Sequence, residues 1–362
     1  MPSSLADAVR LTAVVEYLNA QGHKVFLLTQ TQEAKQFENE FLEVQTLRWV
    51  KPTNADKNII RLIKEVILGI EIFVKLLVQK NKTYYFFTSP PFVSVVIGIV
   101  ATIFKKGSVI LDVRDIYPDI YVKQKVVPEN GFFHNLLKKI ERFIYKRSSV
   151  VLAATQGLFD SIKKRTNTKV LLFRNGFSNF FTISETKKLK FTVVFHGTLS
   201  KFQNIELLVD IVKEIDVLKP EIDFYIIGSG PKQVLFQDMP SNFKFFGRRS
   251  NEETAVIIRE CNLGISLRDD SQISKDAFPV KLYEYIGVGI PSIATPICEG
   301  GQVLSSLGIG FNVPNDKSEI IRLILELYQN KELYERMRGN VILNRSDFSR
   351  AKISNDVLSQ II

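Results

Sequence analysis

The chain has 362 residues, of which 45% are hydrophobic and 24% are charged. These proportions exclude a disordered or fibrous protein and fit two domains of ordinary size. Only two cysteines are present, Cys261 and Cys298, and neither belongs to a CxxC pattern. A disulfide framework is therefore excluded, and we expect both thiols to be free core residues in a reducing compartment.

The net charge of +10 lies in one half of the chain. Residues 1–173 hold 25 Lys and Arg against 15 Asp and Glu, whereas residues 174–362 hold 23 of each kind. A basic first half suits an anionic membrane surface or a phosphate-bearing acceptor, and is also typical of a solvated surface. Its aromatic residues follow strand and helix periodicity, so we expect them in the core and expect no nucleic acid partner.

The first residues, MPSSLADAVR, lack the basic start and apolar core of a signal peptide. No apolar run reaches about 18 residues, so no membrane span is expected. The longest run, Phe92–Phe104, predicts a buried helix. We therefore expect a cytoplasmic protein, and leave open a peripheral position on the inner face of the membrane.

Two series of short β-rich runs alternate with helical patterns along the chain. The first series comprises KVFLL (24–28), YYFFT (84–88), SVILDV (108–113), VVLAA (150–154) and VLLF (170–173). The second comprises FTVVFH (191–196), DFYIIG (223–228), FKFFG (243–247), LGISL (263–267) and PSIAT (291–295). Alternating strands and helices predict parallel sheets covered on both faces. The expected fold class is α/β, with two doubly wound Rossmann-like domains facing across a cleft.

The domain boundary is predicted in the polar segment 174–190, which separates residues 1–173 from residues 174–345. A C-terminal helix over 346–362 is expected to pack back on the N-terminal domain. A doubly wound domain normally opens on a strand and a Gly-rich turn, but this chain moves directly into the helical segment LADAVRLTAVVEYLNAQGH. The first strand is therefore expected to be missing, through a misassigned start or a true truncation.

The clearest helical pattern spans Lys57–Lys80. Its apolar side chains fall on one face of a helix: Ile59, Leu62, Ile63, Val66, Ile67, Ile70, Phe73, Val74 and Leu77. We expect this face to pack inside the protein and the opposite, basic face to be exposed. Contact of that basic face with anionic lipid is the alternative.

The strongest signal for chemistry is the segment DAFPVKLYEYIGVGIP (276–291). Pro279 suits the first turn of a helix that runs to Val288 and ends at Gly289. The free amides and positive dipole end at the start of this helix, together with Lys281, predict a diphosphate site.

Two acids flank that predicted helix start. Glu284 lies one turn deeper and can accept hydrogen bonds from vicinal hydroxyls such as those of a ribose. Asp276 precedes the helix and can accept those of a sugar. Two acids at this spacing are common, so a capped helix with surface carboxylates is the alternative.

The same segment resembles the nucleotide-sugar segment of the retaining glycosyltransferases of family 4, which have a two-Rossmann-domain (GT-B) fold. Their pattern of two glutamates eight positions apart, with Pro, Gly and a further Pro, matches at Pro279, Lys281, Glu284, Tyr285, Gly289 and Pro291. Asp276 departs from the pattern because it replaces a glutamate. The shorter side chain bears on which sugar is bound.

Other segments resemble the family in the same order. FHGTLSKFQNIELL (195–208) resembles the loop in which a glycine, here Gly197, lets the backbone approach the diphosphate; Gln203 and Glu206 match a subgroup, and Asn204 stands where glycine is usual. FYIIGSGP (224–231) resembles a strand followed by GxGP, and RNGFSNFF (174–181) an interdomain junction. SPPFVSVV (89–96) and LDVRDIYPD (111–119) resemble acceptor-domain segments of enzymes that act on lipid-linked sugars.

The resemblance implies a glycosyltransferase that moves a sugar, with retention, from a UDP- or GDP-sugar to a saccharide or lipid-linked saccharide in surface polysaccharide biosynthesis. The N-terminal domain would bind the acceptor and the C-terminal domain the nucleotide sugar. The donor-binding residues would be Gly197, Thr198, Lys201, Pro279, Lys281 and Glu284. The catalytic residues would be Asp276, Glu284 and Asp115, with Arg114 and Asp115 on the acceptor side. No cofactor and no metal are expected, because the three histidines form no cluster.

Several alternatives stay open. A nucleotide-sugar epimerase on the same fold is one, although the SPP and RDIYPD segments argue against it. A truncated, non-catalytic and membrane-associated homologue is another. Arg114 and Asp115 are as readily interpreted as a pair that fixes a loop. Of the histidines, His196 is the candidate for the binding site, His23 is expected to be structural and His134 to lie on the surface.

Overall fold

The computed structural model describes residues 6–30, 35, 38–53, 58–80, 82–87, 92–116, 119–123, 127–184 and 190–361. The predicted segments at 89–91 and 117–118 lie outside the described residues. The chain divides into two compact units, one formed by Met1–Arg174 with Ser354–Ile362 and the other by Asn175–Ile353. No described helix is long and apolar enough to cross a membrane.

The first unit alternates strands with helices. Its strands are β1 (Val25–Thr29), β2 (Leu42–Thr46), β3 (Thr83–Phe87), β4 (Ser108–Val113), β5 (Val150–Ala153) and β6 (Lys169–Leu172). Its helices are α1 (Ala6–Ala20), α2 (Asn58–Val78), α3 (Phe92–Lys105), α4 (Asp119–Lys123), α5 (Phe132–Arg147) and α6 (Gln156–Lys163).

The strands of the first unit form two parallel sheets. β1 pairs with β2, and β3, β4, β5 and β6 pair in that order. Among the described residues no strand pairs with both β1 and β3, so the two sheets are separate. The absence of a first strand stays a prediction, because residues 1–5 lie outside the described residues.

The second unit holds the other strands and most of the remaining helices. Its strands are β7 (Thr192–His196), β8 (Asp223–Ile227), β9 (Phe243–Phe245), β10 (Leu263–Leu267), β11 (Ser292–Thr295) and β12 (Gly310–Asn312). The helices are α7 (Ile205–Leu218), α8 (Asn251–Ile258), α9 (Gln272–Lys275), α10 (Val280–Gly287), α11 (Glu299–Ser306), α12 (Lys317–Gln329), α13 (Lys331–Asn344) and α14 (Arg350–Leu358), which ends in the first unit.

A single parallel sheet of order β12-β11-β10-β7-β8-β9 forms the core of the second unit. Every residue of β7, β10 and β11 is buried, because helices cover both faces of the sheet. The chain reverses its direction of sheet growth between β7 and β10. This is the switch point at which open α/β sheets bind ligands, at the carboxyl ends of the strands.

All ten predicted strands are present within one or two residues, whereas β2 and β12 were not predicted. The expectation for the helix over Lys57–Lys80 is wrong in one respect. The apolar residues Ile59, Ile63, Val66, Ile70 and Val74 are exposed on α2 rather than packed inside.

Candidate functional site

The candidate site is built at the carboxyl ends of the two central strands of the second unit. β7 ends at His196 and is followed by Gly197, while β10 ends at Leu267 and is followed by Arg268. An antiparallel bridge between Gln203 and Arg268 joins the segment that follows β7 to the segment that follows β10. The loop after β7 and the end of β10 therefore form one surface.

The loop after β7 is held by a second glycine-containing loop. The amides of Gly197 and Leu199 donate to the carbonyls of Ile227 and Ser229, both at 2.9 Å. A Cβ on Gly228 would lie 1.9 Å from the carbonyl oxygen of Gly197, and one on Gly230 would lie 2.4 Å from that of Leu199. The GxG pattern is weak evidence for a binding loop when it is taken from the sequence alone. In the structure, the close approach of two backbones requires both glycines.

Helix α10 begins at Val280, one residue later than expected, because Pro279 occupies the N-cap position. The hydroxyl oxygen of Tyr285 lies 3.1 Å from the carbonyl oxygens of both Val194 and Ile265, which share its one proton. These carbonyls belong to β7 and β10, so Tyr285 fixes α10 to both central strands. The first turn of α10, which carries Lys281, is thereby held beside the loop after β7.

Lys281 is buried beside that loop, with only 7% of its surface exposed. Its Nζ donates to Oε1 of Gln203 at 2.9 Å and lies 3.9 Å from the centre of the Phe195 ring. A Cβ on Gly197 would lie 3.4 Å from the same Nζ. Burial, and to a smaller extent the charge of Arg268, lower the pKa of Lys281 to about 7, and the charge of Glu284 opposes the shift. The hydrogen-bond partner that orients this ammonium, the side chain of Gln203, is a neutral amide.

Glu284 lies one turn along α10, next to His196. Its Oε2 is 3.2 Å from Nε2 of His196, although the imidazole N–H is not aligned for a hydrogen bond. Burial raises the pKa of Glu284 to about 7, and the charges of Arg350 and Lys281 oppose the shift. Burial and the charge of Lys281 lower the pKa of His196 to about 3, so the ring is neutral at pH 7. The carboxyl group of Glu284 thus faces a neutral ring.

Arg268 is a member of the site that the sequence interpretation did not identify. Its Nε donates to Oγ of Ser274 at 3.2 Å, and burial lowers its pKa. Asp269 beside it accepts from the hydroxyls of Ser271 and Ser274. The available signal was its position, since a charged residue directly after a buried strand stands at the ligand-binding edge of the sheet.

Other predicted donor residues are more exposed. Thr198, Lys201 and Asp276 are exposed, and Nζ of Lys201 lies 5.0 Å from the Phe202 ring. Asp276 caps α9 and accepts from Nε2 of Gln272 at 2.7 Å. Asn204, where glycine was expected, caps α7 by accepting from the amide of Leu207 at 3.4 Å.

The predicted acceptor-side residues lie in the first unit. Arg114 and Asp115 directly follow β4 and are half-buried. His134, expected on the surface, is instead buried, and its Nδ1 accepts from the amide of Asn130 at 2.8 Å. This hydrogen bond ties the imidazole to the turn that precedes α5, whereas Phe132 and Phe133 in the same helical turn are exposed. Within the described ranges no three His, Cys, Asp or Glu side chains are grouped as metal ligands.

A cavity of about 530 Å³ in the first unit contains none of the predicted site residues. Its lining is Asp119, Val122, Glu129, His134, Lys138, Glu141, Arg142 and Arg165. Its central cation, Arg165, already pairs with Asp119 at 2.5 Å and with Glu141 at 3.1 Å. We place the candidate site at α10 because Lys281 and Glu284 are buried ionisable groups with strongly shifted pKa values, which is typical of functional sites.

Comparison with known proteins gives matches to glycosyltransferases. Residues 177–342 match the family model described as Glycosyl transferases group 1. The chain is similar to the probable glycosyltransferase WbjE of Pseudomonas aeruginosa, with 24% identity over 243 residues that cover 60% of this chain. The chain spans 59% of the length of that curated relative.

Solved structures are similar over nearly the whole chain. Anabaena Alr3699/HepE in complex with UDP gives a TM-score of 0.71 at 13% identity, covering 99% of this chain and 97% of that one. WaaG, a glycosyltransferase involved in lipopolysaccharide biosynthesis, gives a TM-score of 0.69 at 13% identity, covering 97% of this chain and 95% of that one. At these identities the likeness shows the fold alone. The expected fold class, two Rossmann-like domains of the GT-B type, is confirmed.

Proposed function

We propose that this chain, whose residues 177–342 carry a group 1 glycosyltransferase domain, transfers a glycosyl group from a UDP-sugar to a saccharide or lipid-linked saccharide with retained anomeric configuration. The transfer would serve surface polysaccharide biosynthesis at the inner face of the membrane. The observation that carries the proposal is the position of the buried Lys281 and the largely buried Glu284, one turn apart on α10, beside the loop of Gly197.

The diphosphate of the donor is placed at the start of α10. The first amides of a helix have no intrahelical acceptor, and the helix dipole favours an anion there. Lys281 adds a full charge when it is protonated, and Gly197 leaves room next to its Nζ. Pro279, Thr198 and Lys201 line the same approach in this proposal, with Lys201 contributing as an exposed cation.

Glu284 accepts hydrogen bonds from the ribose hydroxyls and Asp276 from the transferred sugar. Glu284 lies one turn deeper than Lys281, so its spacing along the helix matches the step from a diphosphate to the ribose attached to it. Asp276 is exposed at the end of α9, where a loop movement can bring it to a sugar. Glu284 is the more strongly supported of the two.

Uridine is proposed as the donor base. The structure of Alr3699/HepE is known with UDP and with UDP-glucose, and that protein shares the fold at 13–14% identity. A GDP-sugar is the other possibility that the resemblance implies. Direct titration distinguishes the two.

In the proposed reaction the bond between the anomeric carbon and the phosphate oxygen breaks, and the diphosphate departs with the bonding electrons. Lys281 and Arg268 stabilise the negative charge that develops on the leaving group, which in a buried site is usually the largest catalytic contribution. The acceptor hydroxyl attacks from the face on which the diphosphate leaves, and its proton passes to the departing phosphate. No metal and no covalent nucleophile are assigned, and Arg114 and Asp115 are proposed for the acceptor.

The proposal is tested by calorimetric titration of UDP-glucose, UDP and GDP into the wild-type chain and two variants. Lys281→Ala and Glu284→Ala are expected to weaken UDP binding by at least tenfold, since each removes a charged partner worth about 1.5–3 kcal/mol. Lys213→Ala, on the exposed side of α7, is the matched control and should bind as the wild type does. Unchanged affinity in both site variants would refute the assignment, and release of an epimer of the donor sugar without acceptor would show an epimerase.

A further inference from the structure

The exposed side of α2 is apolar along its whole length. Nine residues between positions 59 and 78 are exposed, and all nine are Ile, Leu or Val: Ile59, Ile60, Leu62, Ile63, Val66, Ile70, Val74, Leu77 and Val78. Their exposed fractions run from 37% at Val66 to 74% at Ile59. A soluble monomer rarely presents so continuous an apolar strip, which marks a surface that contacts something else.

The two acidic side chains of α2 point into the first unit, opposite the apolar strip, and fix the rotation of the helix about its axis. Glu71, 1% exposed, accepts from the amides of Arg48 and Trp49 at 2.9 and 3.0 Å. Glu65, 3% exposed, accepts from the amide of Val93 at 3.3 Å and pairs with Arg61. Rolling α2 to bury its apolar strip would break these bonds. The outward direction of the strip is therefore set by the packing of the first unit.

The end of α3 extends the same apolar surface. Phe104 is 69% exposed, and its ring lies 5.9 Å from that of Phe73 on α2 in an edge-to-face contact. Lys105 donates from Nζ to the carbonyl of Leu77 at 2.8 Å, at the C-terminal end of α2. The lysine stem thus lies against the end of the strip, in the manner of side chains that keep a charge at the edge of an apolar face.

Positive charge is concentrated in this part of the chain and at the C-terminal ends of α2 and α3. Residues 48–106 hold ten Lys and Arg against three Asp and Glu, and two of those acids are the buried Glu65 and Glu71. Lys80, Lys82 and Lys106 are exposed near the ends of α2 and α3. An apolar face with a cationic rim complements a bilayer with anionic headgroups. It is less suited to a second copy of the chain, because two such rims would repel each other.

We propose that α2 lies in the plane of an anionic lipid bilayer, with its nine exposed apolar side chains and Phe104 in the headgroup–acyl boundary. The helix has 21 residues, so it would cover about 31 Å of the surface. The proposal adds a specific contact surface to the membrane position given under the proposed function. It rests on that function only in taking the bilayer to carry the acceptor. The alternative drawn from the sequence was lipid contact through the basic face of this helix, whereas the present proposal places the contact on its apolar face.

Vesicle flotation of the full chain tests the proposal, with phosphatidylcholine vesicles that contain or lack phosphatidylglycerol. The triple variant Ile63→Gln, Ile70→Gln and Val74→Gln should lower the partition coefficient on anionic vesicles by roughly tenfold or more. All three positions are exposed, so circular dichroism should show an unchanged fold. The control Val217→Gln with Leu343→Gln changes two still more exposed apolar residues of the second unit and should float as the wild type does.

Three outcomes would overturn the proposal. The wild-type chain does not float, or the triple variant floats equally well. In the third, the wild type is a dimer, the triple variant is a monomer, and both still bind vesicles. The last would assign the surface to a second copy, and sedimentation detects it. UDP titration of the same proteins separates the two proposals. A wild-type chain that floats but does not bind UDP refutes the proposed function alone. A wild-type chain that binds UDP but does not float refutes the membrane contact alone.

Discussion

Nζ of Lys281 donates a hydrogen bond to Oε1 of Gln203 at 2.9 Å, which joins helix α10 to the loop after β7. The partner is a neutral amide, so it orients the ammonium without cancelling its charge. A carboxylate at position 203 would neutralise the lysine and repel a diphosphate. The contact therefore keeps a buried cation positioned for an anionic ligand.

The first prediction concerns this contact. Gln203→Ala is expected to weaken UDP-glucose binding by roughly 5–30-fold, because an oriented hydrogen bond to a charged group contributes about 1–2 kcal/mol. Calorimetric titration measures the change. Lys201→Ala, on the exposed part of the same loop, should have a smaller effect. A larger loss from Lys201 than from Gln203 would mean that the exposed lysine, not Lys281, carries the diphosphate.

The second prediction follows from the pKa of Lys281, which burial lowers to about 7. A diphosphate favours the protonated form, so binding above this pKa must be accompanied by proton uptake. Between about pH 8 and 9 the affinity for UDP-glucose should fall by up to tenfold per pH unit. Glu284, whose pKa is raised to about 7, is already ionised in that range and does not compensate.

Calorimetry at pH 8.5 in buffers of different ionisation enthalpy measures this uptake directly. UDP-glucose is the appropriate ligand because its diphosphate has no proton to lose near neutral pH. Lys281→Arg is the control, since a guanidinium stays charged throughout the range. A wild-type affinity that does not change between pH 8 and 9 would show that Lys281 is protonated in the free protein.

Local features of the sequence were sufficient for part of this site. Pro279 caps the helix that carries Lys281 and Glu284, so their spacing alone places the three together. Gln203 and Arg268 were not foreseen as partners of Lys281, because their proximity depends on how β7 and β10 pair and where the chain leaves each strand. Such tertiary contacts leave no periodic signal in the sequence.

The same distinction explains the outcome for the fold. Apolar periodicity predicts that α2 is a helix, but it does not predict which side of the helix faces the core. Glu65 and Glu71 would normally indicate the exposed side, and here they bond to backbone amides inside. The unpredicted strands are short: β12 has three residues and β2 offers only two buried apolar side chains, Leu42 and Val44.

The third prediction is that Glu284→Gln stabilises the second unit while weakening donor binding. A raised carboxyl pKa means that the folded state holds the proton more tightly than the unfolded state. The associated stability is present below the ordinary value of 4.5 and is lost as pH rises through about 7. Removal of the charge should therefore raise the free energy of unfolding at pH 8 by about 1–3 kcal/mol, with little change near pH 4.5.

Thermal scanning of wild type and variant at both pH values checks this, and a gain of this size shifts the midpoint by a few degrees. Equal midpoints at pH 8 would show that the buried carboxylate costs the fold nothing. The amide introduced by Glu284→Gln keeps one acceptor oxygen, so UDP binding should weaken less than in Glu284→Ala.

The fourth prediction concerns the two glycine loops. A Cβ on Gly228 would lie 1.9 Å from the carbonyl oxygen of Gly197, which is backbone and cannot rotate away. Gly228→Ala should therefore displace the loop beside Lys281, destabilise the second unit by about 1–3 kcal/mol and weaken UDP binding. Gly339→Ala is the matched control, because nothing lies within 4 Å of its Cβ position and it sits in helix α13. Alanine there should be neutral or stabilising by about 0.5–1 kcal/mol. UDP affinity equal to the wild type in Gly228→Ala would separate this loop from donor binding.

The last prediction concerns the anchor of α1 in the first unit. Arg10 and Asp112 are both buried, with Nε of Arg10 donating to Oδ2 of Asp112 at 3.0 Å. The guanidinium also donates to the carbonyl of Phe173 and lies 4.4 Å from the centre of the Phe173 ring. Tyr85 donates from its hydroxyl to the same carboxylate at 2.9 Å. One ion pair thus connects α1, β3, β4 and the segment after β6.

Arg10→Met removes the cation and leaves a buried carboxylate without its main partner, which costs about 3–5 kcal/mol. The thermal midpoint of the first unit should fall accordingly, and Arg10→Met with Asp112→Asn should recover part of the loss because no buried charge remains. UDP binding, which the second unit carries, serves as the internal control and should persist below the transition. A double variant no more stable than Arg10→Met alone would show that Arg10 acts through its contacts with Phe173, not through its charge on Asp112.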